Sequence, residues 1–234
     1  MKSILNRTIK DKMRITAVVF TAAIICILSF FSTVYAQPVQ TQSASPLGNK
    51  DIGKAETVIG DLVADAVRSA LHTNIAFISA SELKPKEPPF SAGTITSSDI
   101  AGLISYPDDP LAVLQIKGSQ IREALEKAVS IYPQPNLGFL QVSGLTFTFD
   151  SKKNAGERVT AVQVGSSAID ENGYYTVAVT NSMANGALGY WKVWTKDDIK
   201  ARFADNSVVK AIENYFKANP KIDYGSLNRI TIVK

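Results

Sequence analysis

Apolar residues recur at helical spacing in several stretches of the chain. The first stretch predicts an amphipathic helix that ends near Leu71. Its apolar face holds Val58, Ile59, Leu62, Val63, Ala66, Val67 and Ala70. A second helix is predicted over residues 119–131, where Ile121, Leu125 and Val129 are four residues apart. Shorter helices are predicted from Ser97 or Ser98 to Ile104 and near residues 208–218.

Short apolar runs and alternating patterns predict the strands. They cover residues 74–79, 111–117, 139–150, 158–164, 174–180 and 229–233. Residues 145–149 and 175–179 alternate with a period of two, which is typical of half-buried strands. Helices and strands are mixed without strict alternation, so we predict an α+β fold with a mixed sheet flanked by helices. One domain is expected over residues 55–234.

The first 36 residues differ in composition from the rest. Their basic start is formed by Lys2, Arg7, Lys10, Lys12 and Arg14. An uncharged apolar run over 15–31 follows, and small residues stand at the −3 and −1 positions of a cleavage site that ends in Ala36, which predicts a signal peptide cleaved after that residue. An uncleaved signal anchor is the alternative, because the run approaches the length of a membrane span. In both cases the remainder is extracytoplasmic, either periplasmic or secreted, and is held at the membrane only if the leader is retained.

Residues 37–54 are rich in Gln, Ser and Pro and show no apolar period, so we predict a flexible linker there. The charge balance then changes. The chain has 25 basic and 21 acidic residues, of which the leader holds five and one, so 20 of each remain. The basic pI thus comes from the leader, and we expect no nucleic-acid partner. The only cysteine also lies in the leader, which leaves no disulfide or thiol chemistry for the rest.

Candidate catalytic residues are scarce. A two-metal phosphoesterase centre needs several His and Asp ligands, and this chain has one histidine, His72, at a predicted helix end. We therefore predict no catalytic residue, no metal site and no cofactor. Two acid pairs could serve a glycosidase in principle. We expect Asp61 and Asp65 to lie on a solvated helix face, and Asp108 and Asp109 to cap a turn.

Four ordered stretches resemble the C-terminal domain of 5′-nucleotidases. They are Gly60-Asp61-Leu62-Val63-Ala64-Asp65-Ala66, the segment 111–126 with Gly118 between strand and helix, Phe139-Leu140-Gln141-Val142-Ser143-Gly144, and Ala184-Asn185-Gly186-Ala187-Leu188-Gly189-Tyr190. With the terminal Asn228-Arg229-Ile230, the resemblance covers about residues 56–234. In that family a separate N-terminal metallophosphatase domain cleaves the phosphoester, whereas the C-terminal domain binds the nucleoside. The resemblance therefore implies substrate recognition without bond cleavage.

Several binding positions differ from the family pattern. The family stacks the base between two phenylalanines, and Pro107 and Ser182 stand at those positions. Leu188 replaces the aspartate that holds the ribose, so it cannot accept a hydrogen bond. The Gly-Gly-Ile-Arg turn becomes residues 81–84, which ends in Lys84. These changes indicate that the fold persists while the pocket is remodelled.

The resemblance implies a set of candidate binding residues in the remodelled pocket. They are Lys84, Tyr106, Asp109, Ser182, Asn185, Gly186 and Gly189. Tyr106 or Tyr190 could supply a substitute ring, although we expect Tyr190 to lie in the core. Trp191 and Trp194 are expected to pack rather than to form a ligand platform.

Three functions remain open from the sequence. The first is an exported, non-catalytic recognition domain that binds a nucleotide-like or other small molecule. The second is the substrate-binding part of a split 5′-nucleotidase whose metallophosphatase domain is a separate partner chain. The third is an envelope scaffold or interaction module without a small ligand.

Overall fold

The computed structural model describes residues 38–234, and the predicted leader lies outside them. The α+β prediction is confirmed, because mixed sheets and helices share one hydrophobic core. Within the described range, no helix has both the length and the apolar character that a membrane span needs.

The described chain contains twelve strands and five α-helices. The strands are β1 Gln40–Ser43, β2 Ile75–Ser79, β3 Gly93–Thr96, β4 Pro110–Lys117, β5 Leu140–Ser143, β6 Leu145–Asp150, β7 Val159–Val164, β8 Ser167–Ala168, β9 Tyr174–Thr180, β10 Ile199–Ser207, β11 Lys221–Ile222 and β12 Ile230–Val233. The helices are α1 Val58–Leu71, α2 Ser97–Ala101, α3 Gly118–Val129, α4 Asn181–Ala184 and α5 Val208–Ala218.

The strands form three sheets. The central sheet has the order β10-β4-β9-β2-β5. In it β2 and β9 are parallel and the other pairs are antiparallel. A second sheet has the order β12-β6-β7-β8, and a third has the order β11-β1-β3. Because β2 and β9 run in the same direction, their carboxyl ends meet at one edge of the central sheet.

Helix α1 follows its predicted apolar face and packs on β2, β5 and α5. Its first turn is capped by the Thr57 hydroxyl, which accepts a hydrogen bond from the Gly60 backbone at 3.2 Å. A Cβ atom on Gly60 would lie 2.3 Å from Gln141 Oε1, so only glycine allows this close approach to β5. His72 lies at the end of the helix, as predicted, and its backbone adopts a left-handed conformation.

The predicted strand over 139–150 is divided in the structure. Gly144 separates β5 from β6 with a φ of 81°, a conformation that glycine adopts without steric cost. Its Cα also lies against the Asn74 carbonyl, because an added Cβ would come within 2.0 Å of that oxygen. The turn therefore sends β5 into the central sheet and β6 into the second sheet.

The segment predicted as a flexible linker is largely part of the fold. Strand β1 pairs antiparallel with β3 and parallel with β11. Leu47 is fully buried and bridges to Phe90, and Ile52 is also in the core. Because these pairing partners lie far away in the sequence, the local composition gave no sign of the strand.

Strand β10 was also missed, although its signal is present. Ile199, Ala201 and Phe203 alternate with charged residues, which is a strand pattern. A short 3₁₀ turn, Lys196–Asp198, directly precedes the strand.

Candidate functional site

Three loops meet beside the carboxyl ends of β2 and β9. The loop after β2 lies along the segment that follows α2, since the Ser105 amide donates to the Glu82 carbonyl at 2.8 Å. The Lys84 amide donates to the Leu103 carbonyl, also at 2.8 Å. The third loop begins with α4, directly after β9. All seven predicted binding residues lie on these three loops.

Two of the predicted residues are in direct contact. The Ser182 backbone N–H donates to Asp109 Oδ2 at 3.2 Å. Tyr106 lies in the same turn as Asp109, because the Asp109 amide donates to the Tyr106 carbonyl at 3.2 Å. The Tyr106 side chain is 58% exposed, so its ring faces solvent. The expected turn at residues 106–109 is therefore present, and one of its acids reaches α4.

Asn185 meets a cation that the sequence reasoning missed. Arg202, on β10, donates from its guanidinium to Asn185 Oδ1 at 3.0 Å and also to the Asn181 side chain. Strand β10 places this arginine beside α4 because it pairs with β4. Recognising the alternation in β10 would have put Arg202 on a strand, but only the tertiary structure brings it to Asn185.

Lys84 does not reach the other predicted residues through a side-chain contact. Its ammonium donates to the Gly102 carbonyl at 3.4 Å, and the residue is exposed. Lys84 lies on the loop after β2. Its ammonium contacts the segment that follows α2 instead of the other predicted binding residues.

A buried carboxyl, Glu82, lies under these loops and was not among the candidates. It is 3% exposed, and its Oε1 accepts a hydrogen bond from the Thr180 hydroxyl at 2.9 Å. Its Oε2 has no hydrogen-bond partner among the described residues. Burial raises the pKa of Glu82 to about 7, the negative charge of Asp109 raises it further, and the Thr180 hydrogen bond opposes the shift. The carboxyl thus titrates near neutral pH.

The loop from Gly186 to Trp194 combines buried and exposed rings. Gly186 and Gly189 adopt φ values of 87° and 81°, which favour glycine. Tyr190 and Trp194 are buried and stack at 4.8 Å, so the packing expectation is confirmed for both. Trp191 is 63% exposed, and the packing expectation is wrong for this residue. Burial raises the pKa of Tyr190, whose hydroxyl donates to the Gly138 carbonyl at 2.7 Å.

The Asp61 and Asp65 carboxyls are not on a solvated face. Arg229 makes a bidentate contact with Asp65, with both N···O distances 2.9 Å, and its Nε lies 3.5 Å from Asp61. Tyr224 donates to Asp65 at 2.9 Å, while Asp61 is only 2% exposed. The expectation failed because the partners come from the C-terminal segment, which helical periodicity cannot reveal.

A polar pocket of about 490 Å³ lies over this acid cluster, between α5 and the segment 221–229. In this pocket the Tyr215 and Tyr224 hydroxyls are hydrogen-bonded to each other, and Tyr224 also donates to Asp65. Arg229 is paired with both aspartates. A second pocket borders the same cluster at Asp65 and Arg229, and two others on the described chain are lined by other residues. The seven predicted binding residues line none of these four pockets.

Metal ligands do not cluster within residues 38–234, where no three His, Cys, Asp or Glu side chains converge as a cation site would require. The lone histidine, His72, is exposed at the end of α1.

The comparison with protein families decides the relationship. Residues 38–196 match the family described as 5′-nucleotidase, C-terminal domain. The chain belongs to this family. The match begins at Pro38, which agrees with the inclusion of β1 in the fold.

Individual relatives of this family member are distant. A crystal structure of a 5′-nucleotidase precursor from Thermus thermophilus superposes with a TM-score of 0.73 at 24% identity, over 92% of this chain and 43% of that chain. Human 5′-nucleotidase is 24% identical over 62% of this chain and 26% of its own length. Endonuclease YhcR of Bacillus subtilis is 28% identical over 62% of this chain and 12% of its own length. The chain thus spans less than half of each relative.

Proposed function

We propose that this chain is an exported recognition domain of the 5′-nucleotidase family, without catalytic activity of its own, that binds a nucleotide-like or other small ligand. The observation that supports this proposal is that the chain retains the family fold while residues at the ligand-binding positions of the family are changed. Pro107, Ser182 and Leu188 stand where the family places two rings and a carboxylate. Export is supported by the composition of residues 1–36.

The loop arrangement supports recognition. Asp109 is held against Ser182, Arg202 is held against Asn185, and Glu82 lies beneath with a free oxygen. Asp109 and Arg202 thus supply charged groups beside the positions from which the stacking rings of the family are absent. They favour ligands that offer hydrogen-bond donors and acceptors.

Calorimetry and thermal shift test the proposal with the purified protein. Nucleosides, nucleotides and sugar nucleotides are titrated at millimolar concentration, and phosphate release is followed in parallel. A ligand with micromolar affinity should raise the unfolding free energy by about 4 kcal/mol, because it binds only the folded state. Metal-dependent phosphatase activity of the chain alone would overturn the non-catalytic part, and failure of every ligand to bind would favour a scaffold role.

A split 5′-nucleotidase is the second candidate. The Thermus relative is a 5′-nucleotidase precursor, and more than half of it has no counterpart in these 234 residues. A separate metallophosphatase chain would then supply the reaction. Mixing this protein with such a chain should produce AMP hydrolysis that neither shows alone, and no gain over the separate activities would exclude this candidate.

A further inference from the structure

Two lysines lie close to the aromatic rings of the loop from Gly186 to Trp194, which carries the predicted glycines. Lys127, on α3, places its ammonium next to Gly189, since a Cβ atom there would lie 2.9 Å from Nζ. The same ammonium lies 5.4 Å from the centre of the Tyr190 ring. Lys192 lies 5.3 Å from the centre of the Trp191 ring. The loop therefore has two cations close to its aromatic residues.

Neither ammonium is neutralised within the part of the chain that the structure describes. The ion pairs of residues 38–234 involve other side chains, and neither Nζ atom donates a hydrogen bond there. Burial lowers the pKa of Lys127, and the charge of Lys192 lowers it further. The two like charges repel each other, and an anion placed between them would relieve that repulsion.

The loop also leaves one ring outside the core. Tyr190 and Trp194 are anchored by hydrogen bonds to the Gly138 and Met183 carbonyls, at 2.7 and 3.0 Å. The Trp191 amide donates to the Gly186 carbonyl at 3.2 Å, which holds its backbone while the ring remains exposed. An exposed indole on a fixed backbone is a stacking platform for a planar group.

We propose that Lys127, Lys192 and the Trp191 ring form a binding surface for a ligand that joins a phosphate-like anion to a planar ring. The inference rests on the proposed function and specifies it. The two ammoniums take the anionic group, and Trp191 takes the ring that the altered positions 107 and 182 no longer hold. Gly189 contributes by lacking a side chain, which leaves room for the Lys127 ammonium.

Tryptophan fluorescence of the full protein tests this surface. Trp191 and Trp194 are the only tryptophans, and Trp194 is buried, so the solvent-sensitive emission reports on Trp191. The probes are AMP, adenosine and inorganic pyrophosphate. We expect AMP and pyrophosphate to change the emission, with AMP binding at least about tenfold more tightly than adenosine, as expected for charge-assisted contacts.

Single substitutions separate the two parts of the surface. Lys127→Met and Lys192→Met should each weaken AMP about tenfold and leave adenosine unchanged, because each removes one charge and keeps the apolar stem. Trp191→Leu, followed by calorimetry, should weaken AMP and adenosine alike. Lys217→Met, at an exposed lysine on α5, is the matched control, and thermal unfolding verifies that every variant folds.

The outcomes distinguish this inference from the function on which it rests. If adenosine binds and AMP binds no more tightly, the proposed function stands and the surface is wrong. If Arg202→Met abolishes AMP binding while both lysine variants retain it, the anion lies at Arg202 and the surface is also wrong. If neither nucleotides nor nucleosides bind, the proposed nucleotide-like ligand fails, and the absence of pyrophosphate binding would then overturn the surface as well.

Discussion

Asp61 shows how strongly one residue can depend on partners distant in sequence. Its carboxyl is 2% exposed, with Arg229 Nε at 3.5 Å. Burial raises the pKa of Asp61 to about 9, and a hydrogen bond with Glu56 and the charges of Glu56 and Asp65 add to the shift, while Arg229 opposes it. The cost of removing the Asp61 carboxylate from water exceeds its attraction to Arg229, whose guanidinium also makes the bidentate contact with Asp65.

The first prediction concerns the pH dependence of stability. The unfolded chain releases the Asp61 proton near its ordinary pKa of 3.8, whereas the folded chain retains it up to about pH 9. The contribution of Asp61 to the free energy of unfolding is therefore fully present below pH 3.8 and is lost as pH rises to about 9. Between pH 8 and 9, above most of the titration of Glu82, the unfolding free energy should fall by up to about 1.4 kcal/mol per pH unit.

Asp61→Asn isolates this effect, because the amide has nearly the same shape and cannot ionise. Denaturant unfolding at pH 7, 8 and 9 should show the decline in the native protein and a smaller decline in the variant. Asp205→Asn, at an exposed aspartate, should leave the native slope unchanged. Equal slopes for Asp61→Asn and the native protein would contradict the protonated state of the buried carboxyl.

At the scale of single elements, β1 is the clearest departure from the sequence prediction. Its residues, Gln-Thr-Gln-Ser, have no apolar alternation. The strand exists because its backbone pairs with β3 and β11, and the Thr41 hydroxyl donates to the Asn219 carbonyl at 2.6 Å. Leu47 then fixes the following segment in the core.

The second prediction tests whether this segment is structural. Leu47→Ala should lower the unfolding free energy by about 2–5 kcal/mol, because it removes a fully buried side chain and leaves a cavity. Denaturant unfolding measures the change. Leu227→Ala, at a leucine that is 47% exposed, serves as control and should cost much less. A change in unfolding free energy near zero for Leu47→Ala would instead support the flexible linker predicted from the sequence.

The third prediction concerns the turn between β5 and β6. Gly144→Ala should destabilise more than Gly156→Ala, although both glycines have positive φ values, 81° and 93°. At Gly156 no atom lies within 4 Å of the added Cβ, so only the backbone cost of about 1–2 kcal/mol applies. At Gly144 the added Cβ would meet the Asn74 carbonyl. Equal melting temperatures for the two variants would contradict this close approach.

At the scale of the whole molecule, the three sheets share one core. Buried residues from all three sheets, such as Ile95, Val177 and Phe147, belong to a single hydrophobic cluster. Arg229 adds a polar connection, since it precedes β12 and contacts both aspartates of α1. We therefore expect the described region to unfold as one cooperative unit.

Differential scanning calorimetry provides the fourth prediction. The 197 described residues should unfold in one transition with an enthalpy of about 140 kcal/mol near 60 °C, at about 0.7 kcal/mol per residue. The calorimetric and van't Hoff enthalpies should agree. Two resolved transitions would show that one of the smaller sheets is an independent unit.

The sequence by itself determined the elements whose signal is local. The apolar face of α1, the alternation in β6 and β9, and the glycine that begins α3 are all contained in short windows, so their positions follow from periodicity and turn chemistry. The order of four motifs determined the family in the same way, because motif order does not require knowledge of contacts.

Only the tertiary structure decided the features that depend on distant partners. Strand β1 needs the backbone of β11 at its parallel edge, and the Thr41 side chain bonds to Asn219, 178 residues away. The burial of Asp61 needs Arg229, and the contact of Asn185 with a cation needs Arg202. The state of a buried polar group is set by what surrounds it, and those surroundings come from folding rather than from neighbours along the chain.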